Sequence, residues 1–278
     1  MIPDLIVVKC GGTAQVSPTA VCAAVAEIAR AGQPVLLVHG GSAAMMKLAG
    51  RLGVSLSQLN APDGTVTRRT DAATMEVLTL ALAGQAKPEL VLELARCGVS
   101  AVGLTGLDAG ILAARRKKTL RNVIDGRTLL VRDDHSGLLS KVRTGLLRML
   151  IEAGCVPVLS PPALAEDGSA VNVNADRVAA AVAAALGAQR LVLLTAAPGV
   201  LSDPTVPDSL QARYRLDGRL DPAVRGGMKI KLVAAAEALR GGVPEVLIAD
   251  GRALEPVRSA LAGRGGTRVL AEVAAAAP

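Results

Sequence analysis

Residues 5–12 read LIVVKCGG: four aliphatic side chains in a row, then Lys9, Cys10 and two glycines. A short aliphatic run without polar alternation predicts a strand buried on both faces, as in parallel sheets. Similar runs return in PVLLVHG (34–40), SAVGLTG (100–106), VPVLS (156–160), RLVLLT (190–195) and EVLIAD (245–250). Amphipathic or Ala-rich stretches at 18–31, 71–83, 141–153, 176–186 and 228–240 read as helices between most of them. Buried strands alternating with helices predict an α/β fold whose mainly parallel sheet is covered on both sides.

Open sheets of this class collect ligands at the carboxyl ends of their strands, and the glycines lie there. KCGG follows the first strand, HGGSA the second, GLTGLDAG the third, and TAAPGV follows RLVLL. One glycine pair after a strand is usually just a tight turn. Four such loops in one chain point to backbone N–H groups that cradle a phosphate or substrate. Neither GxxxxGK[ST] nor a helix-opening GxGxxG occurs, so neither standard nucleotide motif applies.

Composition narrows the class. The chain of 278 residues is 51% hydrophobic and 20% charged, which excludes a disordered protein. No run reaches the roughly 18–20 apolar residues of a membrane span. The start, MIPDLIVVKCGG, lacks the basic region and cleavage site of a signal peptide. Cys10, Cys22, Cys97 and Cys155 are scattered in apolar contexts without CxxC spacing. Buried free thiols in a reducing cytoplasm are expected, not disulfides or metal ligands. With one Tyr and no Trp or Phe, stacking platforms for single-stranded nucleic acid have no material. The Ala-rich tail at 271–277 reads as a frayed end.

The net charge of +7 is concentrated. Residues 115–148 hold ten Lys/Arg against three Asp/Glu, and the remainder balances at 21 of each. Within ARRKKTLRNVIDGRTLLVRDD (114–134), two β-prone arms flank Asp125-Gly126, a strong turn signal because both positions need positive φ. A protruding hairpin beside the main sheet is expected. Its basic residues are either a solvated surface that aids solubility or a patch that steers an acidic partner.

Lys9 ends an otherwise apolar strand, where an ammonium is costly unless an anion meets it. AVNVNADRVAAAV (170–182) sets Asn172, Asn174 and Asp176 at the opening of a helix, where they serve as caps or as site groups. RGGMKIKL (225–232) sets Gly226 and Gly227 ahead of Lys229 and Lys231 at another helix start, where the dipole favours an anion. His39 and His135 read as structural; no Ser-His-Asp set or metal-spaced cluster occurs, and no protein metal site is expected. Lysines, glycines and one organising aspartate without a general base suit phosphoryl transfer, which needs positioning and charge neutralisation. A carboxylate acceptor is already ionised at neutral pH and needs no base. The product would be an acyl phosphate.

In chain order, Lys9-Cys10-Gly11-Gly12, His39-Gly40-Gly41-Ser42, Arg68 in RRTD, GLTGLD, Asn172-Val173-Asn174-Ala175-Asp176, LLTAAPGV and GGMKIK resemble the amino acid kinases, in particular the N-acetylglutamate kinase branch. The resemblance spans nearly the whole chain. It implies a three-layer αβα sandwich around a central, mostly parallel eight-stranded sheet. Residues 1–170 would form an N-terminal lobe for substrate or carrier binding and dimerisation, and 171–278 a C-terminal lobe for ATP with Mg2+. It implies that Lys9 and Lys231 stabilise the moving phosphoryl group from its two ends while Asp176 holds both ammonium groups. Gly41, Ser42, Arg68 and Asn172 would bind the substrate, with Arg68 clamping its α-carboxylate. Gly11, Gly12, Thr195, Gly199 and Lys229 would bind ATP. Two positions depart from the family pattern: Ala196 stands where an acidic or amide residue is usual, and Ser42 replaces the third glycine of HGGG.

An acyl phosphate on a free amino acid lies within reach of its own amine, so the amine must be masked. An acetyl group is one mask; an amide to a carrier protein is another. HGGSA, GLTGLD and the basic segment resemble the kinases of bacterial lysine synthesis that act on 2-aminoadipate joined to the small acidic carrier protein LysW. That resemblance assigns Arg115, Arg116, Lys117, Lys118 and Arg121 to carrier docking. The resemblance implies a homodimer across the substrate lobe; the N-terminal helix that links dimers into hexamers in some relatives is not expected, because the chain begins almost directly with its first strand. The alternative is an N-acetylglutamate kinase of arginine biosynthesis with an incidentally basic surface. A basic nucleic-acid-binding module is a remote alternative of another class, disfavoured by the missing aromatics and recognition motifs.

Overall fold

A computed structural model describes residues 2–62, 64–206, 208–216 and 224–271. Beyond Ala271 the expected Ala-rich tail lies outside the described residues. Among these residues one sheet has eight strands: β1 (Ile6–Cys10), β2 (Val35–His39), β3 (Ala101–Thr105), β4 (Val156–Ser160), β5 (Arg190–Thr195), β6 (Arg213–Arg215), β7 (Glu245–Asp250) and β8 (Thr267–Leu270). Their spatial order is β6-β8-β7-β5-β1-β2-β4-β3. Every neighbouring pair is parallel except β7 with β8. The expected α/β architecture is present. The six apolar runs are β1 to β5 and β7; the short edge strand β6 and its neighbour β8 carry no such run and were not foreseen.

The helices are α1 (Pro18–Arg30), α2 (Ser42–Leu52), α3 (Ala72–Leu80), α4 (Lys87–Arg96), α5 (Gly145–Glu152), α6 (Ala175–Leu186), α7 (Gly226–Arg240) and α8 (Pro256–Leu261). Successive side chains of a strand face opposite ways, so β1 feeds two separate cores. Ile6, Val8 and Cys10 pack into the core of α1, α4 and α8, while Leu5 and Val7 pack into that of α5, α6 and α7. α6 and α7 face their core with many small aliphatics: Ala179, Ala180 and Ala183 from one, Ala234, Ala235 and Ala238 from the other. Small side chains let the two helices lie close together, α6 over β1 and α7 over β7. The first turn of α6 and the second turn of α7 thereby bring Asp176 and Lys231 to Lys9 near the end of β1.

Three expectations need correction. The helix expected at 141–153 is only α5; Gly137–Val142 is a strand, paired antiparallel to Leu112–Arg116 in a second sheet with Ala163–Ala165 and Ala170–Val171. That strand takes its hydrogen bonds from a partner distant in sequence, which helical periodicity does not register. Secondly, all four cysteines are free, but Cys97 and Cys155 are only half-buried. Thirdly, the Asp125-Gly126 hairpin forms, with φ of 49° and 74° at the turn, but not beside the main sheet. Its first arm, Leu120–Ile124, leans on Gln58–Asn60 of the hairpin formed with Val66–Arg68, where the Asn122 side chain accepts the Asn60 N–H at 2.8 Å, and its second arm, Arg127–Val131, is largely exposed.

Candidate active site

β1 lies between β2 and β5, where the strand order runs outward in both directions. This switch point opens a crevice at the strand ends. The loops after β1 and β2 meet there, backbone against backbone. A Cβ on Gly12 would lie 2.7 Å from the Gly41 nitrogen and 2.9 Å from the Gly40 carbonyl carbon, so this approach requires glycine. The Ala43 N–H donates to the Gly12 carbonyl at 2.8 Å, locking the β1 loop to α2. His39 is buried and holds the same turn from behind: its Nδ1 lies 3.0 Å from the Gly40 carbonyl. Burial pulls its pKa down to about 4, so the ring is neutral and donates there.

Alternation along β1 turns Lys9 toward the α6 side of the sheet. Asn174 caps α6, its side-chain oxygen accepting the N–H groups of Asp176 at 2.9 Å and Arg177 at 3.2 Å. The cap sets Asp176 in the first turn, facing β1. Lys9 Nζ lies 2.7 Å from Asp176 Oδ1, and Lys231 Nζ, from the first turns of α7, donates to Oδ2 at 3.1 Å. All three residues are buried, at 5%, 5% and 8% exposure for Lys9, Asp176 and Lys231, a degree at which each charge requires its partner. Burial pushes the Asp176 carboxyl up, but the two ammonium groups outweigh it and hold the pKa below the usual range. Burial lowers the Lys231 pKa; Asp176 opposes that shift and Lys9 adds to it. One carboxylate thus carries two cations, and the trio retains a net positive charge.

A cavity of about 550 Å³ opens over this trio. Gly11, Gly12, Gly41, Ser42, Arg68, Asn172 and Thr195 line it with Lys9, Asp176 and Lys231, so most of the residues singled out in the sequence converge. Arg68 is half-buried, with a pKa lowered by burial, and among the described residues its guanidinium donates only to the Met45 sulfur, at 2.8 Å. A thioether is a weak acceptor, which leaves a cation ready for a carboxylate. Asn172 is partly committed, since its amide donates to Thr70 Oγ1 at 3.3 Å.

Several candidates lie elsewhere. Lys229 is exposed and away from the cavity: two residues from Lys231, it points to the opposite side of α7. Gly199 is buried behind the β5 loop, where a Cβ would lie 2.6 Å from Thr267 Oγ1. The five basic residues do not share the hairpin. Arg115 and Arg116 end the strand Leu112–Arg116, Lys117 and Lys118 follow it, and Arg121 alone sits on a hairpin arm. Arg115, Lys118 and Arg121 are exposed, Arg116 donates to the Asp134 carbonyl at 3.0 Å, and Lys117 lines the cavity. Sequence reasoning missed this last placement, together with the aliphatic wall of Met45, Leu78 and Leu82 and the run Ser136–Leu139. Aliphatic residues in a wall look like core residues, so only the small pair Ser136-Gly137 after the hairpin offered a signal.

Residues 4–250 match the model of the Amino acid kinase family. The chain is 42% identical over 269 residues to the [LysW]-aminoadipate kinase of Deinococcus radiodurans, covering 95% of this chain and 91% of that one. It is 39% identical over 259 residues to the acetylglutamate kinase of Symbiobacterium thermophilum, with 89% and 84% covered. The fold is also that of the carbamate kinase of Giardia lamblia, at a TM-score of 0.65 and 15% identity, covering 98% of this chain and 100% of that one.

Proposed function

The chain belongs to the amino acid kinase family, and from that membership we propose that it transfers the γ-phosphoryl group of ATP to the side-chain carboxylate of 2-aminoadipate joined through its amine to the LysW carrier protein. The observation that carries this reading is the Lys9–Asp176–Lys231 trio lining one cavity together with Arg68. Lys9 and Lys231 neutralise the oxygens of the moving group, and Asp176 keeps both ammonium groups fixed, so no reorganisation is needed at the moment of transfer. The N–H groups of Gly11 and Gly12 face the phosphates, and those of Gly41 and Ser42 the acceptor. Arg68 takes the α-carboxylate of the acceptor as a two-point fork, with Asn172 beside it. ATP enters as its Mg2+ complex, the ion held on the phosphate oxygens. Among the described residues no group of three or more His, Cys, Asp or Glu side chains is placed to hold a metal. The acceptor oxygen is already ionised and attacks directly.

Residues 1–170 act as the acceptor lobe and 171–278 as the nucleotide lobe, with Thr195 at the nucleotide side. The exposed Arg115, Lys118 and Arg121 attract the acidic carrier to the mouth of the cavity. A cytoplasmic homodimer belongs to the same proposal; among the described residues no helix is long and apolar enough to cross a membrane. Acetylglutamate as acceptor is the second reading, favoured by the 39% identity to an acetylglutamate kinase. Phosphate transfer measured side by side with carrier-linked aminoadipate, carrier-linked glutamate and acetylglutamate decides between them. Preference for acetylglutamate would overturn the carrier reading, and ATP turnover with none of the three would overturn both.

A further inference from the structure

The run Asp133–Gly137 has no part in the function proposed above, yet it joins the two residues at the acceptor end of the cavity. Asp134 is 1% exposed and does not line the cavity. Its Oδ2 accepts the Thr70 N–H and its Oδ1 the Ser136 N–H, each at 2.7 Å. Beside it the His135 N–H donates to the Thr70 carbonyl at 2.6 Å, the Asn172 N–H to the His135 carbonyl at 2.7 Å, and the Gly137 N–H to the Asn172 carbonyl at 2.8 Å. The Asn172 side chain then closes the circuit on Thr70 Oγ1. Thr70, fully buried, stands two residues beyond Arg68. The carboxylate therefore ties the Arg68 hairpin, at Thr70, to its own segment at Ser136; the backbone of His135 and Gly137 in that segment holds the Asn172 stretch, and the Asp134 carbonyl takes Arg116.

Among the described residues no cation pairs with the Asp134 carboxylate. A buried carboxylate held only by backbone N–H donors is costly to keep and directional in what it fixes. An aliphatic residue would fill the space without joining the segments. We propose that Asp134 is a positioning residue for acceptor recognition, holding Arg68 and Asn172 at a set separation without touching the substrate. This rests on the acceptor site proposed above.

The test is Asp134→Asn, with Thr70→Val and Thr70→Ser as companions. The amide of Asp134→Asn satisfies one backbone donor and presents its own N–H to the other. KM for the best acceptor should rise roughly 10–100-fold, the scale for losing a hydrogen bond to a charged group, with KM for ATP within about twofold. Thr70→Val, close in shape, should raise the acceptor KM to a smaller extent, and Thr70→Ser, which keeps the hydroxyl, should restore it. Amide hydrogen exchange in the whole protein should speed at Thr70, Ser136 and Asn172 but not in β1 or α6. Equal rises in both KM values, or an unchanged acceptor KM in Asp134→Asn, would show a merely structural residue. If the wild type phosphorylates no acceptor, the functional reading falls, and exchange alone decides this one: loosening confined to those amides supports it, and uniform or absent loosening rejects it.

Discussion

Lys9 and Lys231 come from opposite ends of the chain and meet on the two oxygens of Asp176, at 2.7 and 3.1 Å. Two ammonium groups side by side repel, and only a buried carboxylate between them makes the arrangement stable. The surplus cation lines the cavity, and in the function proposed above it meets the negative charge of the phosphoryl group in transfer.

Removing either lysine tests that arrangement. Lys9→Met and Lys231→Met should each lower kcat by about 10²–10³, the scale for loss of one preorganised donor. Steady-state kinetics with saturating ATP and acceptor measure it. Near-normal kcat in both variants would contradict the assignment.

The helix cap beneath the site carries a stability prediction. Asn174→Ala removes the acceptor of two N–H groups at the start of α6. It should destabilise the protein by about 1 kcal/mol, read as a drop of roughly 2–4 °C in Tm. An unchanged melting curve would mean that packing of α6, not its cap, sets the position of Asp176.

The buried charges impose pH limits of opposite sign. Lys231 has a lowered pKa, so it loses its proton before an ordinary lysine, which titrates near about 10.4. The rate requires the ammonium, so kcat/KM, which reports the free enzyme, should fall on the alkaline side below that value. Asp176 has a depressed pKa, so its contribution to stability is complete above the ordinary carboxylate value of about 3.9 and is lost as pH falls through the lower folded value. Asp176→Asn should remove that acid dependence from the melting curves. A rate flat to about pH 10.5, or an acid dependence unchanged in the variant, would refute the respective half.

Carrier docking predicts a salt effect. Charge reversal at the exposed Arg115, Lys118 and Arg121 should raise KM for carrier-linked acceptor and leave that for acetylglutamate, where it is turned over, unchanged. The wild-type carrier reaction should weaken as salt rises, because surface charges are screened over about 8–10 Å near physiological ionic strength. Kinetics on both acceptors across a salt series check this, and salt-independent carrier kinetics would remove docking by charge.

Much of the architecture was legible because burial writes itself into local composition. LIVVKC and RLVLLT are strands wherever they sit, since so continuous an aliphatic run must be covered on both faces. The edge strand Arg213–Arg215 has no such signature; its pairing with Thr267–Leu270 supplies what its side chains do not. Lys9, Asp176 and Lys231 stood out because each places a charge at the boundary of an apolar element. Lys229 stood out for the same reason and is solvent-exposed, because helical rotation separates it from its neighbour.

The sequence by itself determined the central strands, the glycine loops at their ends and the concentration of charge in one segment, all consequences of local periodicity and residue type. Only the tertiary structure decided which of those charges share a cavity. It set both lysines on one carboxylate, sent Lys117 inward and Lys118 outward, and closed Asp134 on the backbone of Thr70. These outcomes depend on distances between segments far apart in the chain, and such distances follow from how close α6 and α7 pack to the sheet and which hairpin lies against which.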